Sequence, residues 1–182
     1  MAKIKNIDSE KLIIFDLDDT LVKTDAKVKI LDVKTHEVIK ELTPEQFNNF
    51  VKGKNHVLNF DDFDSGELLR QGKMINEIFH ILKSSYAKKI PVAILTARSD
   101  SEMVRDFFLE NGIDIHPELV IAINDPQFKY TGTIAERKKK AIEDLIESGY
   151  KELIFFDDNE DNLRLAKSVE GYNNSTIRTI KV

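Results

Sequence analysis

The sequence predicts an α/β fold, a doubly wound parallel sheet with a small cap inserted after the first strand. Three observations carry this expectation. Short, continuous apolar runs recur at Leu12–Phe15, Pro91–Leu95, Leu119–Ile123 and Leu153–Phe156, as strands buried on both faces of a parallel sheet require. Segments of helical periodicity separate the later runs, so strands alternate with helices. The alternation breaks once, between Val22 and Gly72, where about 50 residues without a buried-strand run are too many for a plain loop.

Each element follows in order. Leu12–Phe15 is the first strand. In the inserted stretch, Val28–Val33 and Glu37–Glu41 suit a hairpin turned at Lys34–His36, and Thr43-Pro44-Glu45-Gln46 is a helix start. It combines a capping box with proline in the first turn, and Leu42 and Phe47 flank it as a hydrophobic staple. After the insertion, Met74, Ile75, Ile78, Phe79 and Leu82 form a helical stripe. The strand Pro91–Leu95 leads into a helix carrying Met103, Phe107 and Phe108, with Ser99-x-x-Glu102 as its capping box. Gly112 ends that helix in a position that favours the left-handed conformation. Leu119–Ile123 is the third strand, followed by the stripe Ile134, Ala141, Ile142, Leu145 and Ile146, capped by Thr133-x-x-Glu136 and ended by Gly149. Leu153–Phe156 is the fourth strand, Leu163, Leu165 and Ala166 lie on the last helix, and Thr176–Val182 adds an edge strand. The expected organisation is a core of residues 1–21 and 73–182 with a cap at 22–72.

Composition narrows the function classes. A chain of 182 residues buries a real core, and the balance of 32 acidic against 27 basic residues, net −5, disfavours a dedicated duplex-DNA binder. Cysteine is absent, which removes disulfides, thiolate catalysis and cysteine zinc sites. His36, His56, His80 and His116 lack metal-site spacing. The polar start MAKIKNIDSEK lacks the apolar stretch of a signal peptide, and the apolar runs are too short to span a bilayer, so a soluble, cytoplasmic protein without membrane partners is expected.

In sheets of this kind ligands bind beyond the carboxyl ends of the strands. The first strand runs into Asp16-Leu17-Asp18-Asp19-Thr20, the second ends at Thr96, the helix from Ile134 carries Arg137 and Lys138–Lys140, and the fourth strand ends at Asp157-Asp158. Taken singly, such features are caps, solvated loops or a solvated helix face. Together they differ, because carboxylates gathered at the ends of two buried strands repel one another unless a cation holds them. Oxygen ligands favour a hard ion such as Mg²⁺, which also takes a substrate phosphate. A carboxylate nucleophile, a metal, a hydroxyl and a lysine constitute a phosphoryl-transfer site.

FDLDDTL at 15–21, ILTAR at 94–98, a helix-borne lysine and IFFDDNEDN at 154–162, in that order, resemble the four motifs of the haloacid dehalogenase (HAD) superfamily, and of its small phage-encoded members in particular. The resemblance covers most of the chain outside the insertion. It implies a Rossmann-like core and a Mg²⁺-dependent phosphatase, a hydrolase working through an aspartyl-phosphate. Asp16 would be the nucleophile and Asp18 the general acid and then base, which separates phosphatases from dehalogenases in this superfamily. Mg²⁺ would be held by Asp16, the backbone carbonyl of Asp18, and Asp158. Asp157 would be a second ligand or an orienter, supported by Asp161 or Asn162, and Thr96 would hydrogen-bond the phosphoryl oxygens. Lys138 shares a helical stripe with Ile134, Ala141, Ile142 and Leu145 and is favoured for the phosphate over Lys139 and Lys140, which rotate away.

A phospho-receiver module would need its phosphoacceptor after a middle strand, where only Asp125, beside Pro126, stands. A catalytically silent interaction protein would be expected to have lost part of the motif set, and a mutase within the superfamily remains compatible with it. Substrate choice falls to the insertion. Its Phe47, Phe50, Phe60 and Phe63 pack a small core or stack on a substrate base, while Asp61, Asp62 and Asp64 repel a polyanion. A small phosphorylated metabolite or nucleotide is therefore the expected partner, with a polynucleotide end, contacted through Lys52 and Lys54, as the competing substrate.

Overall fold

The structure, a computed structural model, describes residues 9–182; the polar start at 1–8 lies outside them. The chain divides into two compact units. One runs to Lys23 and resumes at Met74–Val182, and the other is Thr24–Lys73.

The chain enters the first unit on β1 (Lys11–Phe15), buried throughout beyond Lys11, and leaves through the two-residue β2 (Val22–Lys23). The second unit is an antiparallel three-stranded sheet of β3 (Val28–Asp32), β4 (Val38–Leu42) and β5 (His56–Asn59), with β3 central. The hairpin at Lys34–His36 forms as the turn residues predict, with His36 in the left-handed conformation at φ 58°. Helix α1 (Pro44–Asn48) carries both halves of its capping box, Thr43 with Gln46, and Leu42 and Phe47 share one apolar cluster. That cluster holds Val28, Ile30 and Leu42 against Phe47, Phe50, Leu58 and Phe63, so three of the four phenylalanines serve the unit's own core. Phe60 lies edge-on to Phe47 at 5.4 Å. Among the acidic residues here, Asp62 accepts from the Lys29 ammonium at 2.7 Å and the Lys27 N–H at 3.1 Å, which gives it a structural task. Strand β5 and the short helix α2 (Gly66–Gln71), capped by Ser65, carry no periodicity strong enough to predict them.

The chain re-enters the first unit at β6 (Lys73–Met74), which pairs with β2. It continues through α3 (Asn76–Ala87), β7 (Val92–Thr96), α4 (Ser101–Glu110), β8 (Val120–Ala122), α5 (Ile134–Ser148), β9 (Glu152–Asp157), α6 (Glu160–Lys167) and β10 (Thr176–Lys181). Five strands form one parallel sheet in the order β10-β9-β1-β7-β8. Chain order runs outward from β1 through β7 to β8, then returns across β1 to β9 and β10. Right-handed crossovers therefore carry α3 and α4 over one face and α5 and α6 over the other, and α5 and α6 pack on each other. The strand order reverses between β1 and β9, so a crevice opens where their carboxyl ends diverge.

Three details set the register of that crevice. Phe15 faces Phe156 across the ladder and stacks on it at 5.0 Å with planes 10° apart. The Asp16 N–H extends the ladder by one bond to the Phe156 carbonyl, 2.9 Å. Helix α5 starts on its capping box, Thr133 with Glu136, and the carboxylate of Glu136 lies where a Cβ on Gly132 (φ +97°) would stand at 2.4 Å. A residue with a side chain at 132 is therefore both strained and in collision with the cap.

One helix start is corrected. The Ser99 capping box does not form: α4 begins at Ser101, and Asp100, the N-cap, accepts the Met103 N–H at 2.9 Å. Aspartate is at least as good a cap as serine, and the one-residue shift lets the buried Ser101 hydroxyl accept the Ala122 N–H at 3.1 Å. No helix among the described residues is long and apolar enough to cross a membrane.

Candidate active site

The loop after β1 folds back at once. The Leu17 carbonyl accepts the N–H groups of Thr20, Leu21 and Val22, and Asp19 takes the left-handed conformation, φ 58°, which aspartate tolerates better than most residues. This tight loop holds Asp16 inward, 6% exposed, at the carboxyl end of a fully covered strand. Strand β9 delivers Asp157, fully buried, and Asp158 just beyond it. Carboxylate oxygens of Asp16, Asp157 and Asp158 lie within 4.8 Å of one another.

Lys138 enters this cluster from α5. It occupies the buried stripe with Ala135, Ala141, Ile142, Leu145 and Ile146. Its Nζ stands 2.8 Å from Asp16 Oδ1 and 2.7 Å from Asp157 Oδ2. Lys139 and Lys140 point away and pair with Glu143 and Asp144 on the same helix.

Asp157 and Asp158 differ in how they are engaged. Asp157 Oδ1 accepts the Asn159 N–H at 2.8 Å and the Asn162 amide at 3.1 Å, while Oδ2 accepts Lys138 and, at 3.0 Å, the same amide. Both its oxygens are thus engaged by the chain's own donors, the arrangement of a residue that orients Lys138. Of the two predicted supports, Asn162 is in place. Asp161 is not: its side chain is 74% exposed and pairs with Arg164, because the Asn159 cap starts α6 so that position 161 faces outward.

Electrostatics favour an added cation here. Three carboxylates against one ammonium leave two negative charges in a covered pocket when all are ionised, the charge that a single divalent cation neutralises. Burial raises Asp16 well above the usual carboxylate range, with Asp157 and Asp158 adding to the rise against the pull of Lys138. Asp158 is raised to about 6 by burial and then by Asp157. Lys138, despite burial that opposes its charge, is held above its ordinary value by Asp157 and Asp16. The donor set, oxygen only and acidic, fits a hard cation such as Mg²⁺.

A stability prediction follows from Asp158. An acid whose pKa is higher folded than unfolded favours the folded state at low pH, and this contribution is lost as pH rises from about 4 to about 6. In metal-free buffer the melting temperature of Asp158→Asn relative to wild type is expected to increase over that window and to exceed wild type at pH 7.5. Thermal unfolding at pH 4.5 and 7.5 checks this, and a variant less stable than wild type at pH 7.5 would contradict it.

Thr96 ends β7 fully buried, and its hydroxyl oxygen accepts the Arg98 N–H at 3.3 Å, which leaves its proton to be donated elsewhere. Asp18 stands apart from the three clustered carboxylates. Its side chain meets Arg98, whose Nε and Nη2 reach its two oxygens at 2.9 and 2.7 Å. Arg98 is therefore the residue that sequence reasoning left without a role. The available signal was an arginine two positions after Thr96, the strand-end threonine already assigned to the site. Asp125 accepts from Ser101 and Gln127 N–H groups, as a turn residue does. Compared with protein-family models and with curated proteins, the chain matches none.

Proposed function

We propose that this chain is a Mg²⁺-dependent phosphomonoester hydrolase of the HAD superfamily, with Thr24–Lys73 as its cap and Asp16 as the residue that carries the phosphoryl group. The observation that carries this reading is the convergence of Asp16, Asp157, Asp158 and Lys138 on one crevice at the strand-order reversal. Asp16, the Asp18 carbonyl and Asp158 would hold the cation, and Asp157 would orient Lys138. When bound, the cation offsets phosphoryl charge and that of the carboxylates.

The chain's own residues divide the work in two halves. An Asp16 carboxylate oxygen attacks phosphorus as the bond from phosphorus to the ester oxygen breaks, and Asp18 gives that oxygen its proton. Lys138 and the Thr96 hydroxyl donate to the phosphoryl oxygens, whose charge must be met throughout. In the second half Asp18, now a carboxylate, takes a proton from water as the water oxygen attacks phosphorus. The bond from phosphorus to Asp16 breaks, returning the free carboxylate and releasing inorganic phosphate. A small phosphorylated metabolite or nucleotide is the proposed substrate, with a polynucleotide end as the competing one.

The test is phosphate release with and without Mg²⁺ from a panel of small phosphomonoesters, nucleotides and 3′- or 5′-phosphorylated oligonucleotides. Metal-dependent release, fastest on a small ester, is expected. A clear preference for oligonucleotide ends would replace the substrate class, and no release from any member by folded protein would overturn the reading.

A further inference from the structure

We propose that Arg98 is a positioning residue for Asp18, fixing the plane of its carboxylate for proton transfer. The assignment rests on the phosphatase reading above and adds a residue to it. The guanidinium is almost sealed from solvent, with its side chain 1% exposed against 17% for Asp18, and it meets that carboxylate across 80 positions of sequence. Burying a permanent cation is costly, and a buried ion pair is often no more stabilising than apolar side chains of the same volume. A pair like this is poorly explained by stability alone. Its geometry does something an apolar contact cannot: two parallel N–H bonds to two oxygens fix both the position and the plane of a carboxylate. Asp18 sits on a tight loop whose bonds to the Leu17 carbonyl fix the backbone, while the fork fixes the side chain.

Arg98 is itself braced. Its N–H donates to Thr96 Oγ1 at 3.3 Å, and its carbonyl accepts the Asn124 N–H at 3.2 Å. The Asn124 side chain donates to the Ala97 carbonyl at 2.5 Å and accepts from Arg137, which also donates to the Gly132 carbonyl at 2.8 Å. Arg137 precedes Lys138 on α5. Consecutive residues of one helix thus hold the two catalytic carboxylates, Lys138 directly at Asp16 and Arg137 through Asn124 and Arg98 at Asp18. This is the kind of supporting shell that sets a reacting group within a fraction of an ångström.

The experiment is stopped-flow hydrolysis of 2,4-dinitrophenyl phosphate with Mg²⁺ by wild type, Arg98→Lys, Asp18→Asn and the double variant. Dinitrophenolate departs without a proton, so its burst reads attack by Asp16, whereas the following phase reads hydrolysis of the phosphorylated Asp16, which needs Asp18. Lysine keeps the charge and loses the fork. Arg98→Lys is expected to leave the burst rate within about threefold and to slow the second phase about 10- to 100-fold, as small misplacements of a catalytic group do. In the Asp18→Asn background the same change is expected to alter the second phase by less than about threefold. A merely structural role would slow the burst as well, or slow both backgrounds alike, and either result overturns the assignment. An unaffected second phase in Arg98→Lys also overturns it while leaving the phosphatase reading intact. A folded wild type that releases no dinitrophenolate in a Mg²⁺-dependent way overturns both. Should Arg98→Lys not fold, Arg98→Gln, which retains a planar amide donor, is read by the same criteria.

Discussion

Asp16→Asn is expected to abolish Mg²⁺-dependent phosphate release, leaving at most about one part in 10⁴ of the wild-type rate, because phosphomonoester hydrolysis is among the slowest uncatalysed reactions and loss of a nucleophile removes its covalent route. The protein should not lose stability with it. Asp16 is one of three clustered carboxylates, two of which share the Lys138 ammonium, and Lys138 keeps its 2.7 Å contact with Asp157 when Asp16 becomes neutral. Mutual repulsion falls, so the melting temperature in metal-free buffer should be equal to or above that of wild type. Asp18→Asn should behave differently: a good leaving group still phosphorylates Asp16, and acid-quenched, radiolabelled protein should retain the phosphoryl group. Equal and mild losses of rate for the two variants would contradict the assigned roles.

Lys138→Met should produce the largest loss of stability of any single substitution in the crevice. The ammonium is buried between Asp16 and Asp157 at 2.8 and 2.7 Å, and methionine fills the stem without supplying charge or donors. Removing one partner of a buried pair typically costs about 3–5 kcal/mol, which for a chain of this size lowers the melting temperature by roughly 6–20 °C. The pH dependence has a definite sign. Lys138 is raised above its ordinary value, so its contribution is fully present at neutral pH and is lost only as pH rises above its unfolded value of 10.5. At the acid end, protonating the carboxylates relieves the variant, so its deficit relative to wild type should be smaller at pH 4.5 than at pH 7.5. Thermal unfolding at both values checks this. A deficit below about 1 kcal/mol at pH 7.5 would show that the three carboxylates do not depend on Lys138. Lys139→Met and Lys140→Met, whose parents pair with half-buried acids on their own helix, should each shift stability by less than about 1 kcal/mol.

Much of this protein is local in origin, and that part is legible in the sequence. Strands buried on both faces must be continuously apolar, so β1, β7, β8 and β9 announce themselves within a residue or two. Capping boxes are local hydrogen-bond patterns, which is why Thr43 with Gln46 and Thr133 with Glu136 form as written. Where two good caps stand side by side, at Ser99 and Asp100, local preference cannot choose. The buried Ser101–Ala122 bond, a contact across 21 positions, accompanies the later start. The choice of Lys138 over its neighbours is also local, since helical periodicity alone puts it on the apolar stripe.

What only the tertiary structure decided is which side chains meet. That Asp16 and Asp157 share one ammonium depends on β1 and β9 being neighbours, and strand order is set by how helices cover both faces of the sheet, not by any strand's own residues. The saturation of Asp157 by Asn159, Asn162 and Lys138 arises the same way, as does the exposure of Asp161 one position before Asn162. Arg98 is the clearest instance. In the sequence it is a charged residue after a strand, but in the fold it is sealed against a carboxylate 80 positions away. A side chain's charge is written in its own letter. The partner that makes burial of that charge tolerable is specified by the whole packed chain.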